Sequence, residues 1–189
     1  KGVIELKVGK DGLVAVNMGI PELNPPAIPF AADCRKDVYT VDVGDDVVEL
    51  SAISMGNPHG VLLVDDVDRA PVSTLGPALE THPRFPSRAN IGFLQILDRT
   101  HVRLRVFERG SGETLACGSG ACAAVVAGCL RGLLDSRVEV ELRGGCLVVE
   151  WQGDGAPVMM EGPATTVFEG QLRLPGDGNS RRRRTPRRS

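Results

Sequence analysis

The sequence predicts an α+β protein in which a mostly antiparallel, barrel-like curled sheet wraps around one central buried helix. Short apolar runs alternate with turns of Gly, Asp or Pro along most of the 189 residues, a spacing typical of an antiparallel sheet folded toward a barrel. One segment differs: ACAAVVAGCLRGLL at 121–134 is rich in alanine and leucine and carries one charge. These residues favour a helix, and a helix that is apolar on every side is buried.

The strands follow the order of the apolar runs. VIELKV (3–8) and LVAVNM (13–18) flank a turn whose Asp-Gly pair signals a hairpin. The four prolines of PELNPPAIPF (21–30) remove backbone donors, so we expect a linker or domain boundary there. VSTLGPALETH (72–82) is a short helix weakened by its Gly-Pro pair. The remaining strands are DVYTVDV, DVVELSAI, HGVLLVDD, NIGFLQIL, HVRLRVFE, RVEVELR, CLVVEW and PVMMEG.

Composition limits the class of protein. No apolar run approaches the roughly 20 residues that cross a bilayer, and we expect no secretory leader, because the first residues lack its basic-then-apolar pattern. The five cysteines lack a framework spacing and the three histidines are scattered. We therefore expect reduced thiols, a cytoplasmic location and no metal site. The chain starts without methionine inside a strand pattern, so we also expect further residues before Lys1.

The basic residues are unevenly distributed. The arginine-rich end holds six of the 22 basic residues and none of the 24 acidic ones, which leaves 16 basic against 24 acidic residues in 1–180. Residues 176–189 are expected to form a disordered, solvated tail. An arginine run can also bind nucleic acid, but the acidic body offers no second phosphate-binding surface. Nucleic acid is therefore not an expected partner.

The motif CGSG at 117–120 precedes the predicted buried helix. The first amides of a helix lack partners, and together with the helix dipole they hold anions such as carboxylate or phosphate. Gly118 and Gly120 allow close approach of a ligand. The same positive end would lower the pKa of the Cys117 thiol. The alternative is that Cys117 is a small buried core residue.

Other polar side chains lie at strand ends. Glu108 shares the inward face of HVRLRVFE with three apolar residues, although a strand-end Glu can also turn to solvent. Asn57 and His59, in MGNPHG, stand at the head of an apolar strand, where an ordinary Asn-Pro turn is the alternative. Asn90 comes just before another apolar strand, and alone it would be an ordinary strand-opening residue.

Together these motifs resemble a known enzyme family. SMGNPHGVLLVDDVD, LGPALETHPRFPSRANIGFLQI, RVFERGSGETLACGSGACA and GPATTVFEG are similar to the C-terminal half of diaminopimelate epimerases. The resemblance runs from residue 16 to about residue 171 and is most specific at 107–123. It implies two similar domains that face each other across a cleft, each a curled sheet around a helix.

The resemblance implies a cofactor-independent isomerase of lysine and cell-wall precursor biosynthesis. It interconverts L,L- and meso-diaminopimelate by two-cysteine proton transfer. By resemblance Cys117 is the second cysteine, and His59 and Glu108 assist the cysteines. The implied substrate-binding residues are Asn57, Asn90, Glu108, Arg109, Gly118 and Ser119. Most relatives carry threonine where this chain has Ser119, which keeps the hydroxyl. The partners are then the small-molecule substrate and an N-terminal domain, and the chain could form a homodimer.

The main departure concerns the family's first cysteine. Nothing in this sequence matches its Asn-Gly-rich helix start, and Cys34 lacks such a setting. We therefore expect residues 1–30 to be the closing strands of a largely missing N-terminal domain and 31–165 to be the C-terminal epimerase domain. Residues 166–175 would form a strand that returns to the N-terminal domain. The chain alone is expected to be inactive.

Three other functions stay open. A proline or hydroxyproline racemase, or a phenazine-biosynthesis type isomerase, would share the fold, although the latter uses an acid in place of the cysteine pair. A catalytically dead domain could bind anions or nucleic acid through the helix start and the tail. A thiol redox protein would need a resolving cysteine. Cys122 lies one turn inside the helix, and its side chain is expected to point in a poor direction for reaching Cys117.

Overall fold

The computed structural model describes residues 6–10, 12–166 and 168–172. Two α-helices, one short 3-10 helix (Pro25–Ala27) and eleven strands are formed by these residues. The α-helices are α1 (Val72–Glu80) and α2 (Gly118–Leu130). The strands are β1 (Leu6–Val8), β2 (Leu13–Asn17), β3 (Tyr39–Val43), β4 (Asp46–Ser54), β5 (Pro58–Leu63), β6 (Asn90–Ile96), β7 (His101–Glu108), β8 (Gly112–Thr114), β9 (Arg137–Leu142), β10 (Gly145–Glu150) and β11 (Met159–Pro163).

The strands form one sheet in the order β1-β2-β11-β10-β9-β7-β6-β5-β4-β3, with β8 paired to β7. Most neighbours are antiparallel, as predicted, but β5 runs parallel to β6 and β7 runs parallel to β9. The described sheet has two free ends, β1 and β3, and is not closed. The barrel-like curl therefore stays a prediction.

Two hydrophobic clusters lie on opposite faces of the sheet. Successive residues of a strand point to opposite faces, and Phe93 and Leu94 of β6 belong to different clusters. One cluster surrounds α2, whose residues 121–126 are fully buried. The other lies under α1 and includes Ile28 and Phe30. The proline-rich segment 21–30 thus packs into the core as well as connecting strands.

The predicted helix around residues 121–134 is confirmed as α2, shifted toward its N-terminus. The segment contacts β4, β5, β6, β7 and β10, so strands from both halves of the sheet bury it. It ends before Gly132, whose φ of 68° lies in the left-handed region that glycine tolerates. No helix in the described ranges has the length and apolar character needed to span a membrane.

Side chains cover the outer edge of β3. The Arg84 guanidinium donates to the Thr40 carbonyl (Nη1 to O, 2.7 Å), and His82 Nε2 donates to the Asp42 carbonyl at 2.9 Å. The Arg84 side chain also stacks over Phe30, 4.4 Å from the ring centroid. The end strand therefore has partners for both of these outward carbonyl groups.

Some of the domain predictions fall on parts of the chain that the structure does not describe. Residues 1–5, Asp11, Val167 and 173–189 lie outside the described residues, and with them the predicted basic tail. Residues 168–172 belong to no strand. The predicted return of 166–175 to another domain stays a prediction.

Candidate active site

Four segments meet at the candidate site: the first residues of β5 and β6, the end of β7, and the start of α2. The parallel register places His59 of β5 directly opposite Asn90 of β6. The antiparallel partner β7 brings Phe107 opposite Ile91, so Glu108 and the following turn lie at the same edge. Residues from three strands and one helix are thus brought together, while their roles in binding and catalysis stay a prediction.

Cys117 is the residue that caps the N-terminus of α2. Its backbone is extended, with φ −141° and ψ 104°, and the residue is buried, with 6% of its surface exposed. The sulfur lies 3.7 Å from the Ser119 hydroxyl oxygen and also interacts with the backbone of Gly120. A Cβ at Gly120 would stand 3.2 Å from this sulfur. Glycine at that position therefore makes room for the thiol at the helix start.

The expected fall in the pKa of Cys117 is wrong. Burial raises the pKa of this thiol above its ordinary value, and the Glu108 carboxylate adds to the increase. Hydrogen bonds with Ser119 and the Gly120 backbone act in the opposite direction but are outweighed. Loss of solvent disfavours the thiolate more than the helix start stabilises it. The thiol is therefore protonated at neutral pH in this structure.

A polar chain links the start of β5 to the helix. Asn57 Nδ2 lies 3.5 Å from the Ser119 hydroxyl oxygen, and Asn57 Oδ1 accepts from His59 Nε2 at 3.2 Å. His59 is 1% exposed, and burial together with the nearby Arg109 charge lowers its pKa to about 3. The imidazole is therefore neutral and holds the Asn57 amide in a fixed orientation.

A second polar chain fixes the turn after β7. Buried Asn90 accepts the Arg109 backbone N–H at 2.9 Å through Oδ1 and donates through Nδ2 to the Pro58 carbonyl at 3.2 Å. The exposed Arg109 side chain donates through Nη1 to the Ser87 carbonyl at 2.9 Å. Asn90 is therefore more than a strand-opening residue, because it connects β5 to the turn.

Glu108 is half-buried at the end of β7, and the three apolar residues that share its face are buried. Its Oε1 accepts the Thr114 hydroxyl of β8 at 2.5 Å. The sequence did not single out Thr114, and β8 was not predicted. Gly118 opens α2, and a Cβ there would stand 3.1 Å from the Met160 sulfur. Met160 therefore lies over the first turn of α2.

The other cysteines stand in different surroundings. Cys122 and Cys129 lie along α2, and burial raises their pKa values to about 12 and about 11. Cys34 and Cys146 are exposed, and all five thiols are free. Among the residues that the structure describes, no group of three or more His, Cys, Asp or Glu could hold a metal ion.

The chain is similar in sequence to diaminopimelate epimerases. The family model described as diaminopimelate epimerase matches residues 51–167. The diaminopimelate epimerase of Ectopseudomonas mendocina (strain ymp) is 63% identical over 173 residues, which covers 92% of this chain and 63% of the relative. That of Alkalilimnicola ehrlichii is 61% identical over 173 residues, with coverages of 92% and 62%. The chain thus spans less than two thirds of the length of these curated relatives.

Two solved structures share the fold at low sequence identity. A probable proline racemase from Agrobacterium radiobacter K84 has a TM-score of 0.57 and 17% identity, covering 88% of this chain and 55% of that one. A hydroxyproline epimerase from Agrobacterium vitis has a TM-score of 0.53 and 16% identity, with coverages of 80% and 50%. These likenesses show the fold. Because the family model covers more than half of the residues, this chain belongs to the diaminopimelate epimerase family.

Proposed function

We propose that this chain supplies one half of the active site of a cofactor-independent epimerase that interconverts L,L- and meso-diaminopimelate. The observation that carries the proposal is the placement of Cys117: a buried cysteine at the N-cap position of a buried helix, inside the region that the family model matches. Relatives above 60% identity that bear the name diaminopimelate epimerase support the choice of substrate.

The protonated state of Cys117 suits it to donate a proton. In the proposed step, a thiolate on the opposite face of the substrate breaks the α-carbon–hydrogen bond and takes the proton. The Cys117 S–H then gives its proton to the α-carbon, and its electron pair stays on sulfur. Ser119 and the Gly120 backbone favour the thiolate that results. In the reverse direction Cys117 begins as the thiolate, and the two sulfur atoms exchange roles.

Substrate binding uses the groups around this thiol. The backbone N–H groups of Gly118 and Ser119 lie in the first turn of α2, form its positive end and suit the α-carboxylate. Asn57, held by neutral His59, presents its amide beside Ser119. Glu108 and Arg109 supply opposite charges for the amino and carboxylate groups of an amino acid. Asn90 acts by fixing the Arg109 backbone.

We propose that the second cysteine comes from an N-terminal domain outside these 189 residues. Cys34 is exposed, and its carbonyl accepts the hydroxyl of Tyr39, a residue of the other hydrophobic cluster, while Cys122 lies inside α2. The end of the sheet near β1 supports this view: Leu6 and Val8 are 61% and 71% exposed. They pair with Val16 and Val14 on an apolar face that another domain could cover. In this proposal the described residues of 1–30 and 166–175 border that domain, and 31–165 form the C-terminal domain with the sheet curled around α2.

An α-proton exchange assay tests the function. The chain is mixed with the N-terminal domain of the Ectopseudomonas mendocina relative, and assembly is verified by sedimentation, which also reports any homodimer. L,L-diaminopimelate in D2O should lose its α-proton signal only in the mixture. Cys117→Ala should abolish the loss, and Cys34→Ala should leave it unchanged. Exchange that persists with Cys117→Ala, or no exchange by the verified assembly, would contradict the proposal.

A substrate panel separates this function from a proline or hydroxyproline racemase, which the shared fold alone does not exclude. The same mixture is offered L-proline and trans-4-hydroxy-L-proline, and we expect exchange with diaminopimelate only.

We also propose a cytoplasmic location. The five cysteines are free in this structure, and disulfides form in oxidising compartments.

A further inference from the structure

Glu80 is a buried carboxylate that the proposed mechanism does not use. It is the last residue of α1, and 5% of its surface is exposed. A carboxylate at this end of a helix faces the negative end of the dipole, and burial of a charge is unfavourable unless the charge is paired. Two features of the local structure therefore act against a glutamate at this position.

The Glu80 carboxylate is held by two donors from other segments. Its Oε1 accepts the backbone N–H of Gly110 at 2.7 Å and lies 2.8 Å from Nη2 of Arg88. Gly110 belongs to the turn between β7 and β8, directly after Glu108 and Arg109. Arg88 lies two residues before Asn90. The carboxylate thus connects the two segments that carry three of the candidate substrate contacts.

Arg88 has an unusual backbone conformation. Its φ of 59° is the only positive value at a non-glycine residue in the described part of the chain. A side-chain-bearing residue is disfavoured in this region, where glycine is the usual choice. Such strain persists where the surrounding structure holds it, and it clusters at functional sites. The ion pair with Glu80 gives a reason for arginine at this position.

The turn is fixed at three points. Besides the Glu80 bond to Gly110, the Arg109 backbone N–H donates to Asn90, and the Arg109 side chain donates to the Ser87 carbonyl. We propose that Glu80, supported by Arg88, is a positioning residue that holds the turn so that Glu108 and Arg109 face the substrate. This inference rests on the proposed function of the site.

The test measures the protection of the turn and the binding of the ligand separately. Hydrogen exchange of the Gly110 amide is followed by NMR, and diaminopimelate binding by titration of the assembly with the N-terminal domain. Glu80→Ala should speed Gly110 exchange about tenfold or more and weaken binding by a similar factor, because a part-buried, charge-assisted hydrogen bond is lost. Glu80→Gln keeps an acceptor oxygen and should restore most of both. A purely structural charge pair with Arg88 would not be rescued by glutamine.

Two further variants keep the test decisive. Arg88→Gly relieves the positive φ and leaves the buried Glu80 carboxylate its Gly110 donor, so this variant should fold and should weaken binding two- to fivefold. Asp154→Ala, which breaks the exposed ion pair with Arg35, is the matched control. It should change neither the exchange rate of the Gly110 amide nor the binding of diaminopimelate. If Glu80→Ala exchanges the Gly110 amide faster but binds diaminopimelate as before, the role of Glu80 is overturned and the proposed function of the site is not. Failure of the unaltered assembly to bind diaminopimelate would overturn the proposed function as well.

Discussion

Gly120→Ala tests whether the geometry of the Cys117 thiol governs activity. The new methyl group would stand 3.2 Å from the Cys117 sulfur and 3.0 Å from Cγ2 of Val106, so one of these neighbours must move by a few tenths of an ångström. Alanine improves helix propensity by about 1 kcal/mol, and overpacking costs about 1–3 kcal/mol. We therefore expect the free energy of unfolding to fall by about 0–2 kcal/mol.

The effect on chemistry should exceed the effect on stability. A misplacement of about 1 Å can lower a rate about 100-fold, so a shift of a few tenths should lower α-proton exchange about tenfold. The reconstituted exchange assay measures this rate. The rate at which iodoacetamide alkylates Cys117 reports the reactivity of this thiol directly. Mass spectrometry of the peptide that contains Cys117 measures that rate. Exposed Cys34 and Cys146 provide internal references in the same digest.

Gly128→Ala is the matched control in the same helix. Its methyl group would clash with the Leu134 side chain, far along α2 from the thiol. This variant should destabilise the fold by about 1–3 kcal/mol through overpacking and leave Cys117 alkylation unchanged. The reasoning fails if Gly120→Ala retains the original exchange rate and alkylation rate, or if Gly128→Ala alters them equally.

Three further predictions follow from the site and its surroundings. Thr114→Val removes the hydroxyl that holds the Glu108 carboxylate, and α-proton exchange should fall about tenfold with little change in thermal stability. The pKa of His59 is lowered to about 3, so the unfolded chain binds its proton first as pH falls below 6.5. The free energy of unfolding should then fall by about 1.4 kcal/mol per pH unit from pH 6 to 4, and His59→Gln should flatten this slope in urea titrations. The pKa of Cys122 is raised from 9.0 to about 12, so stability should fall at a similar rate from pH 9.5 to 11; Cys122→Ala should flatten that decrease, and an unchanged slope would contradict the burial argument.

Local sequence patterns were enough to predict α2, the alternation in β7 and the position of Cys117 at a helix start. Each depends on the spacing of residues close together in the chain. The parallel pairing of β5 with β6 depends on contacts between distant segments, so the opposition of His59 and Asn90 could not be predicted. The pKa of Cys117 was predicted in the wrong direction for the same reason. Burial by the surrounding strands outweighs the local helix start.

The supporting residues that the sequence did not reveal act by holding other residues of the site. Thr114 and Glu80 are ordinary in a strand end and a helix end, and only the folded chain brings them to Glu108 and Gly110. The strained backbone of Arg88 also leaves no mark in a sequence, because arginine is not a residue that normally indicates a positive φ. Supporting contacts of this kind become visible only with the structure.

The covered edge of β3 limits how copies of this protein can associate. Carbonyl groups on an open strand edge can recruit a strand from another molecule and so begin aggregation. Arg84 and His82 already occupy the Thr40 and Asp42 carbonyls, so these two acceptors are not free to pair with an incoming strand. Polymer growth by strand addition is therefore disfavoured at this end of the sheet.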